Sequence, residues 1–456
     1  MQMYEKLANA LSFISDRHIT EAAGAKRRRR PYWIGPAAAV LALVLLMNSS
    51  GLSLAIRVKA VSTAQYPKYE WVYRQSQMEE ATGQLSGFFE SSMGRSLSGA
   101  GSENIAYSPI NLYMALALAG ELSQGQAQSQ ILSLLECGSA ELLRAQANEI
   151  WNACYLDDGN QTLLANSLWL DNDLRYDQSV MDTLADSYYT SVYQGDLGST
   201  GTAKAIQAWL NGQTGGLLKK EASGAGLFQD MDLPAFALYS TVYYQAKWTS
   251  DFSALNNTNG IFHAPSGDRA CTYMNQNELK TSYYWGADYG AVALGLKDGS
   301  RMWLILPDEG KSVEDVLTSG EYARQVLSGT LYTEESENHK YMLVNLTVPK
   351  FDIQSGGDLA GDLKAMGITD IFDRDAGAFE GTVDGDFPVW LTSVNQATRV
   401  AIDEKGVTAA SYIELPGAGA SAPPEEIIDF VLDRPFLFVI TNRYNLPLFA
   451  GVVNEP

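Results

Sequence analysis

The amino-acid pattern predicts an α+β fold, with helices in the N-terminal half packed on large mixed or antiparallel sheets. Apolar residues recur at three- and four-residue spacing in the first part of the body, while alternating or continuous apolar runs crowd the second. The two patterns are segregated rather than interleaved, which argues against a regularly wound βαβ order.

Taken in order, Leu112, Ala115, Leu116, Ala119 and Leu122 define a helix, and Ser108-Pro109 before it is a sound start, because proline suits the first turn. Leu132, Leu135, Leu142 and Leu143 continue the helical spacing. Ala203–Leu210 reads as a short amphipathic helix ended by Asn211-Gly212. Strands are expected at Leu238–Tyr244, Gly290–Leu296, Met302–Pro307, Tyr341–Val348, Val389–Val394, Phe436–Thr441 and Leu448–Val453. From Met78 on there is no internal repeat and no long linker, so 78–456 is read as one domain.

Charge narrows the function. The chain of 456 residues has net charge −21, but unevenly: residues 1–60 carry nine basic and three acidic side chains, the remainder 23 and 50. A body that acidic is a poor partner for nucleic acid, where cations on phosphates dominate affinity. Three cysteines, Cys137, Cys154 and Cys271, without a CxxC pair argue against a disulfide scaffold or structural zinc, though one bridge stays open. Histidine is limited to His18, His263 and His339, too few for histidine-based metal chemistry, and neither metal nor cofactor is expected. His263 and His339 fall in polar stretches expected to be exposed. The pairs Asp157-Asp158 and Glu425-Glu426 and the acidic run from Asp370 to Asp386 lack ligand spacing and read as solvated loops.

The N-terminus reads as an address. Residues 1–30 form a basic leader ending Lys26-Arg27-Arg28-Arg29-Arg30, and 31–56 an apolar segment, within which the polar members of Trp33–Ile56 are only Asn and Ser. Trp33–Ile56 is long enough to cross a bilayer, and the five cations before it keep the N-terminus inside. A transmembrane anchor is favoured over a cleaved signal peptide because the basic leader is long. Either reading places the acidic body outside the membrane, cell-surface or secreted, with 57–77 as a tether.

The segments Asn104–Pro109, Asn166–Trp169, Leu238–Trp248, Val348–Phe351, Leu363–Phe372, Asp433–Phe438 and Phe449–Asn454, in this order, together resemble the serpin family, inhibitors that trap proteases by a conformational change. Asn104–Pro109 resembles its N-x-x-F/Y-S-P segment, and Asn166-Ser167-Leu168-Trp169 its N-S-L/I-W strand. Leu238–Trp248 with Phe252 is similar to the block that ends on a tryptophan at the top of the main sheet, here Trp248. Val348-Pro349-Lys350-Phe351, then Leu363 to Phe372, match V-P-K-F … L-x-x-L/M-G-I-x-D-x-F. Asp433–Phe438 and Phe449–Asn454 resemble D-H-P-F-L-F and F-x-G-x-V-x-x-P.

The resemblance places the hinge of a reactive-centre loop at Glu404, Gly406, Val407, Thr408, Ala409, Ala410 and Ser411. A strand that slides between two others needs small residues and one apolar face. Val407, Ala409, Ser411, Ile413 and Leu415 supply that face at period two, and Gly406 a pivot. The family's spacing implies a scissile bond at Ala420–Ser421, with Ala418 and Ala422 as alternatives. A small residue there implies an elastase-like, subtilisin-like or some papain-like target rather than a trypsin-like one. The chain would then be a monomeric suicide substrate, not an enzyme.

Some positions depart from the family. Tyr412 is bulky, and Pro416 lacks a backbone donor and would break a ladder bond inside a central strand. Beside Ser108, the sheet-opening polar cluster becomes Asn111, Ser240 and Gln396. A non-inhibitory serpin acting as a binding or scaffold protein is the alternative reading. A surface-anchored serine hydrolase is remote, since no G-x-S-x-G elbow is present.

Overall fold

A computed structural model describes residues 58–66, 83–157, 161–213, 236–328, 338–391, 394–407 and 426–456. The helices are α1 (Ser86–Leu97), α2 (Pro109–Leu122), α3 (Gly125–Leu134), α4 (Ala140–Cys154), α5 (Gln178–Ser187), α6 (Thr200–Gln213), α7 (Val313–Ser319), α8 (Glu321–Leu327) and α9 (Ala360–Ala365). Two large sheets hold most of the strands.

The main sheet runs β1 (Lys59–Ser62), β6 (Thr190–Gly195), β4 (Gln161–Asp171), β7 (Ala237–Lys247), β16 (Gly406–Val407), β15 (Asn395–Asp403) and β13 (Phe351–Asp358), with β3 (Leu156–Asp157) on β4. The second runs β17 (Ile427–Val431), β12 (His339–Pro349), β9 (Gly267–Trp285), β10 (Tyr289–Gly295), β11 (Arg301–Pro307), β18 (Phe436–Thr441), β19 (Pro447–Val453) and β2 (Ile105–Tyr107), with β8 (Thr258–Ala264) on β9. A small pair joins β5 (Arg175–Tyr176) to β14 (Val383–Asp384).

Helix α2 lies in the core between them. Its sequence, PINLYMALALAGEL, is apolar on almost every side, and all but Ala115 and Glu121 are buried. Such a helix is stable only when covered all round. Ser108 caps it, its hydroxyl accepting from the Asn111 amide, and Pro109 occupies the first turn. Phe438, Phe449 and Val452 of the second sheet and Leu168, Tyr244 and Val400 of the main sheet belong to the same buried cluster.

Some expectations need correction. The leucine spacing from 132 to 143 spans two helices, interrupted where Glu136 takes a positive φ of 50°. The described residues of Val389–Val394, 389–391 and 394, are not in a strand; the strand begins at Asn395. Helix α6 extends past Asn211-Gly212 to Gln213. Within the segment read as a tether, Lys59–Ser62 pairs with β6 as an edge strand, and Tyr66 stacks on Trp151 with ring centroids 5.7 Å apart. No helix among the described residues is long and apolar enough to cross a membrane; residues 31–56 lie outside them. All three cysteines are free thiols.

Candidate functional site

The site is the slot between β7 and β15. These neighbouring parallel strands meet at one pair, Asn395 opposite Tyr239. At the other end β16 is wedged between them: Gly406 and Val407 pair with Lys247 and Ala246 on one side, and with Asp403 and Ile402 on the other. Between closure and wedge, no ladder pairs among the described residues join 240–245 of β7 to 396–401 of β15. The two stretches are equal in length, six residues each.

The wedge is built by close packing. A Cβ on Gly406 would lie 2.1 Å from the Ala246 carbonyl oxygen, so only glycine allows this approach. Steric fit at this carbonyl is therefore a stronger demand than the freedom to pivot. Val407 is buried in the same cluster as Ala246 and Ile402. The Asp403 carboxylate accepts from the amides of Lys405 (2.7 Å) and Gly406 (3.2 Å), which shapes the turn into β16.

Trp248 closes the head of the slot. Its indole donates to the Asp403 carbonyl at 2.8 Å, its amide to the Lys405 carbonyl at 3.1 Å, and its ring meets Phe252 edge-on. The Glu404 carboxylate accepts from Lys350 Nζ and Asn257 Nδ2, each at 2.6 Å. Burial opposes its charge, but these two hydrogen bonds and the Lys350 charge outweigh that and push its pKa down to about 2. Lys350 stands in the Val-Pro-Lys-Phe segment, although sequence reasoning gave it no part here. Asn257 has no sequence signal at all.

At the closed end, Ser108, Asn111, Ser240 and Gln396 come together. The Gln396 amide accepts from the Ser108 backbone N–H at 2.7 Å and donates to the Ser108 carbonyl at 2.9 Å. Across the slot, Ser240 Oγ donates to Asn111 Oδ1 at 2.7 Å, and Asn111 Nδ2 donates to the Ser240 carbonyl at 3.2 Å. Ser108 Oγ also donates to the Leu448 carbonyl at 2.7 Å. The N-terminus of α2 thus grips β15 with one residue and β7 with another.

Thr408, Ala409, Ala410, Ser411, Tyr412, Pro416 and the Ala420–Ser421 bond lie outside the described residues. His263 is exposed against Asp268, whereas His339, expected to be exposed, is buried with Nε2 2.8 Å from Ser282 Oγ. It is packed against Tyr284 at the inner end of β12.

The family description "Serpin (serine protease inhibitor)" matches residues 86–456. This chain belongs to the serpin family. It is 26% identical over 374 residues to Serpin-ZX of Arabidopsis thaliana, covering 77% of this chain and 92% of that one. In fold it is similar to the thermophilic serpin Tengpin in the native state, with TM-score 0.71, 21% identity, and 88% of this chain and all of that one covered. It is likewise similar to human thyroxine-binding globulin complexed with thyroxine, with TM-score 0.67, 20% identity, and 83% and 99% covered.

Proposed function

We propose that this protein inhibits serine endopeptidases as a suicide substrate, by inserting its cleaved loop between β7 and β15. The carrying observation is the slot with its hinge already engaged. The target's serine oxygen attacks the Ala420 carbonyl carbon, forming an ester, while the Ala420–Ser421 amide breaks and the new amine leaves with a proton. The freed segment then slides in, carrying the acylated protease with it, and deacylation stalls.

Register supports insertion by this particular loop. Continuing the Gly406–Lys247 and Val407–Ala246 pairing brings residues 408–413 opposite 245–240, which fills the unpaired stretch. Val407 and Ala246 are buried toward the core, so Ala409, Ser411 and Ile413 would follow on that face beside Tyr244, Val242 and Ser240. Tyr412 takes the opposite face. Pro416 reaches Ala237, the first residue of β7, and lies beyond Asn395, the first of β15. Its missing donor therefore falls at the margin of the sheet, where proline is tolerated.

The leader, the membrane segment at 31–56 and the extracellular placement of the 78–456 body remain part of this reading, carried by charge and hydropathy. So does a target with a shallow primary pocket, elastase-like or subtilisin-like. Incubation with subtilisin or a pancreatic elastase followed by denaturing electrophoresis tests the function. A band of summed mass supports inhibition. Cleavage near Ala420 without that band would instead support the binding-protein alternative.

A further inference from the structure

The chain enters the main sheet from its closed end. Val58 and Ala60 pack on the cluster that holds Trp169, Tyr193 and Trp209, so the N-terminal segment is fixed from residue 58 on. Strand β1 pairs antiparallel with β6, Lys59 opposite Gln194, and Gln194 lies beside Leu170 of β4. The preceding residue of β4, Trp169, lies opposite Ala237, the first residue of β7. Lys59 is therefore level with the start of β7, whereas the wedge of Gly406 and Val407 lies against its end, at Lys247 and Ala246. The 11 residues of β7 span ~33 Å at ~3.3 Å per step. Because β1 runs from Lys59 toward the wedge, the chain before it leaves on the opposite side.

We infer that the closed end of the main sheet faces the lipid bilayer and that the wedge end is held outward. The inference rests on the reading of 31–56 as a membrane segment, which lies outside the described residues, and adds the orientation of the body to it. Two steps of chain join Ile56 to Val58, at most ~7 Å at ~3.4 Å each. That is about the depth of one headgroup layer, half the difference between a bilayer of roughly 40–45 Å and its core of about 30 Å. A link so short gives the body no freedom to turn over. Bringing the wedge to the lipid would require β1 to leave β6 and the segment behind it to detach. Ser62 Oγ on Asp182, the Ala64 amide on Ser191 Oγ and the Tyr66 ring on Trp151 oppose that. The hinge at Glu404 and Gly406 is thereby presented to proteases arriving from the medium, some 33 Å beyond the point where the chain leaves the lipid.

The experiment uses the full chain in phosphatidylcholine vesicles that carry a headgroup-labelled acceptor lipid. Cys137 and Cys271 are changed to serine, leaving the buried Cys154. A donor dye is placed on Asn172→Cys, just past the end of β4, or on Lys297→Cys, in the turn between β10 and β11. Both positions are exposed, and the Lys297 amide donates to the Lys247 carbonyl at 2.9 Å, which sets it beside the wedge. Energy transfer to the bilayer is expected to be at least twofold stronger from position 172 than from 297. Equal transfer, as from a body lying on its side, or stronger transfer from 297 would overturn the inference. A chain that does not float with the vesicles would overturn it through the membrane reading, and the electrophoretic band of summed mass would still report on inhibition. If position 172 gives the stronger transfer but the vesicle-bound chain forms no such band with added elastase, the orientation stands and the proposed inhibition fails.

Discussion

Gln396 holds Ser108 by both ends of its side-chain amide, at 2.7 and 2.9 Å, and so ties β15 to the N-terminus of α2. Asn111, three residues on, ties the same turn to Ser240 of β7. These grips hold together two strands that share a single bridge pair. A strand entering the slot would have to open it against them.

Replacing Gln396 by alanine strands the buried N–H of Ser108 and leaves its carbonyl only the Leu112 amide. Each unpaired group costs ~1–3 kcal/mol. Urea denaturation of the intact form is expected to show a loss of about 1–3 kcal/mol, with Gln396→Glu recovering little because its carboxylate would be buried facing the Ser108 carbonyl. An unchanged midpoint for the alanine variant would show that these bonds hold nothing.

Gly406→Ala meets the Ala246 carbonyl at a distance no Cβ tolerates. The wedge must withdraw or shift, exposing Val407. Stability is expected to fall by ~1–3 kcal/mol, and the stoichiometry of inhibition to rise as more chains are cleaved before they can insert. Titration of the variant against a fixed amount of protease reads this directly.

Glu404 gives a pH signature. Its folded pKa, about 2, lies below the ordinary 4.5, so its contribution is fully present above pH ~4.5 and is lost as pH falls toward 2. The contribution is about 2–3 kcal/mol. The stability difference between the parent and Glu404→Gln is therefore expected to shrink across that window. A difference constant from pH 7 to pH 2.5 would contradict the assigned partners.

Tyr66 stacks on Trp151 and Tyr155 where the N-terminal segment crosses the edge of the main sheet. Ser62 Oγ donates to Asp182, and the Ala64 amide to Ser191 Oγ, so the segment is fastened at several points. Tyr66→Ala is expected to cost ~1–3 kcal/mol, through lost area and stacking. Differential scanning calorimetry of the variant checks it.

Much of the architecture was legible because apolar periodicity is strong where strands and helices are buried, as at Phe436–Thr441 and in α2. It failed where burial is one-sided or context decides. The 19-residue β9 reads as polar because most of its residues are only partly covered. Val389–Val394 has strand-like composition yet precedes the strand, whose start is set by Asn395 pairing with Tyr239 and Asp358. Lys59–Ser62 is too short and polar for any period to show. At the site, glycine marked the place where β16 packs against β7, but the partners of Glu404 come from strands and turns distant in sequence. Only the fold brings Asn257 to it.

The most direct measurement is the thermal midpoint before and after a single cut in the loop by a protease that does not remain bound. If the freed segment fills the slot, new ladder bonds form on both sides and the midpoint rises; in a body of this size a gain of ~5 kcal/mol corresponds to about 6 °C. An equal or lower midpoint after complete cleavage would mean that the slot takes no strand, and the trapping mechanism would be wrong.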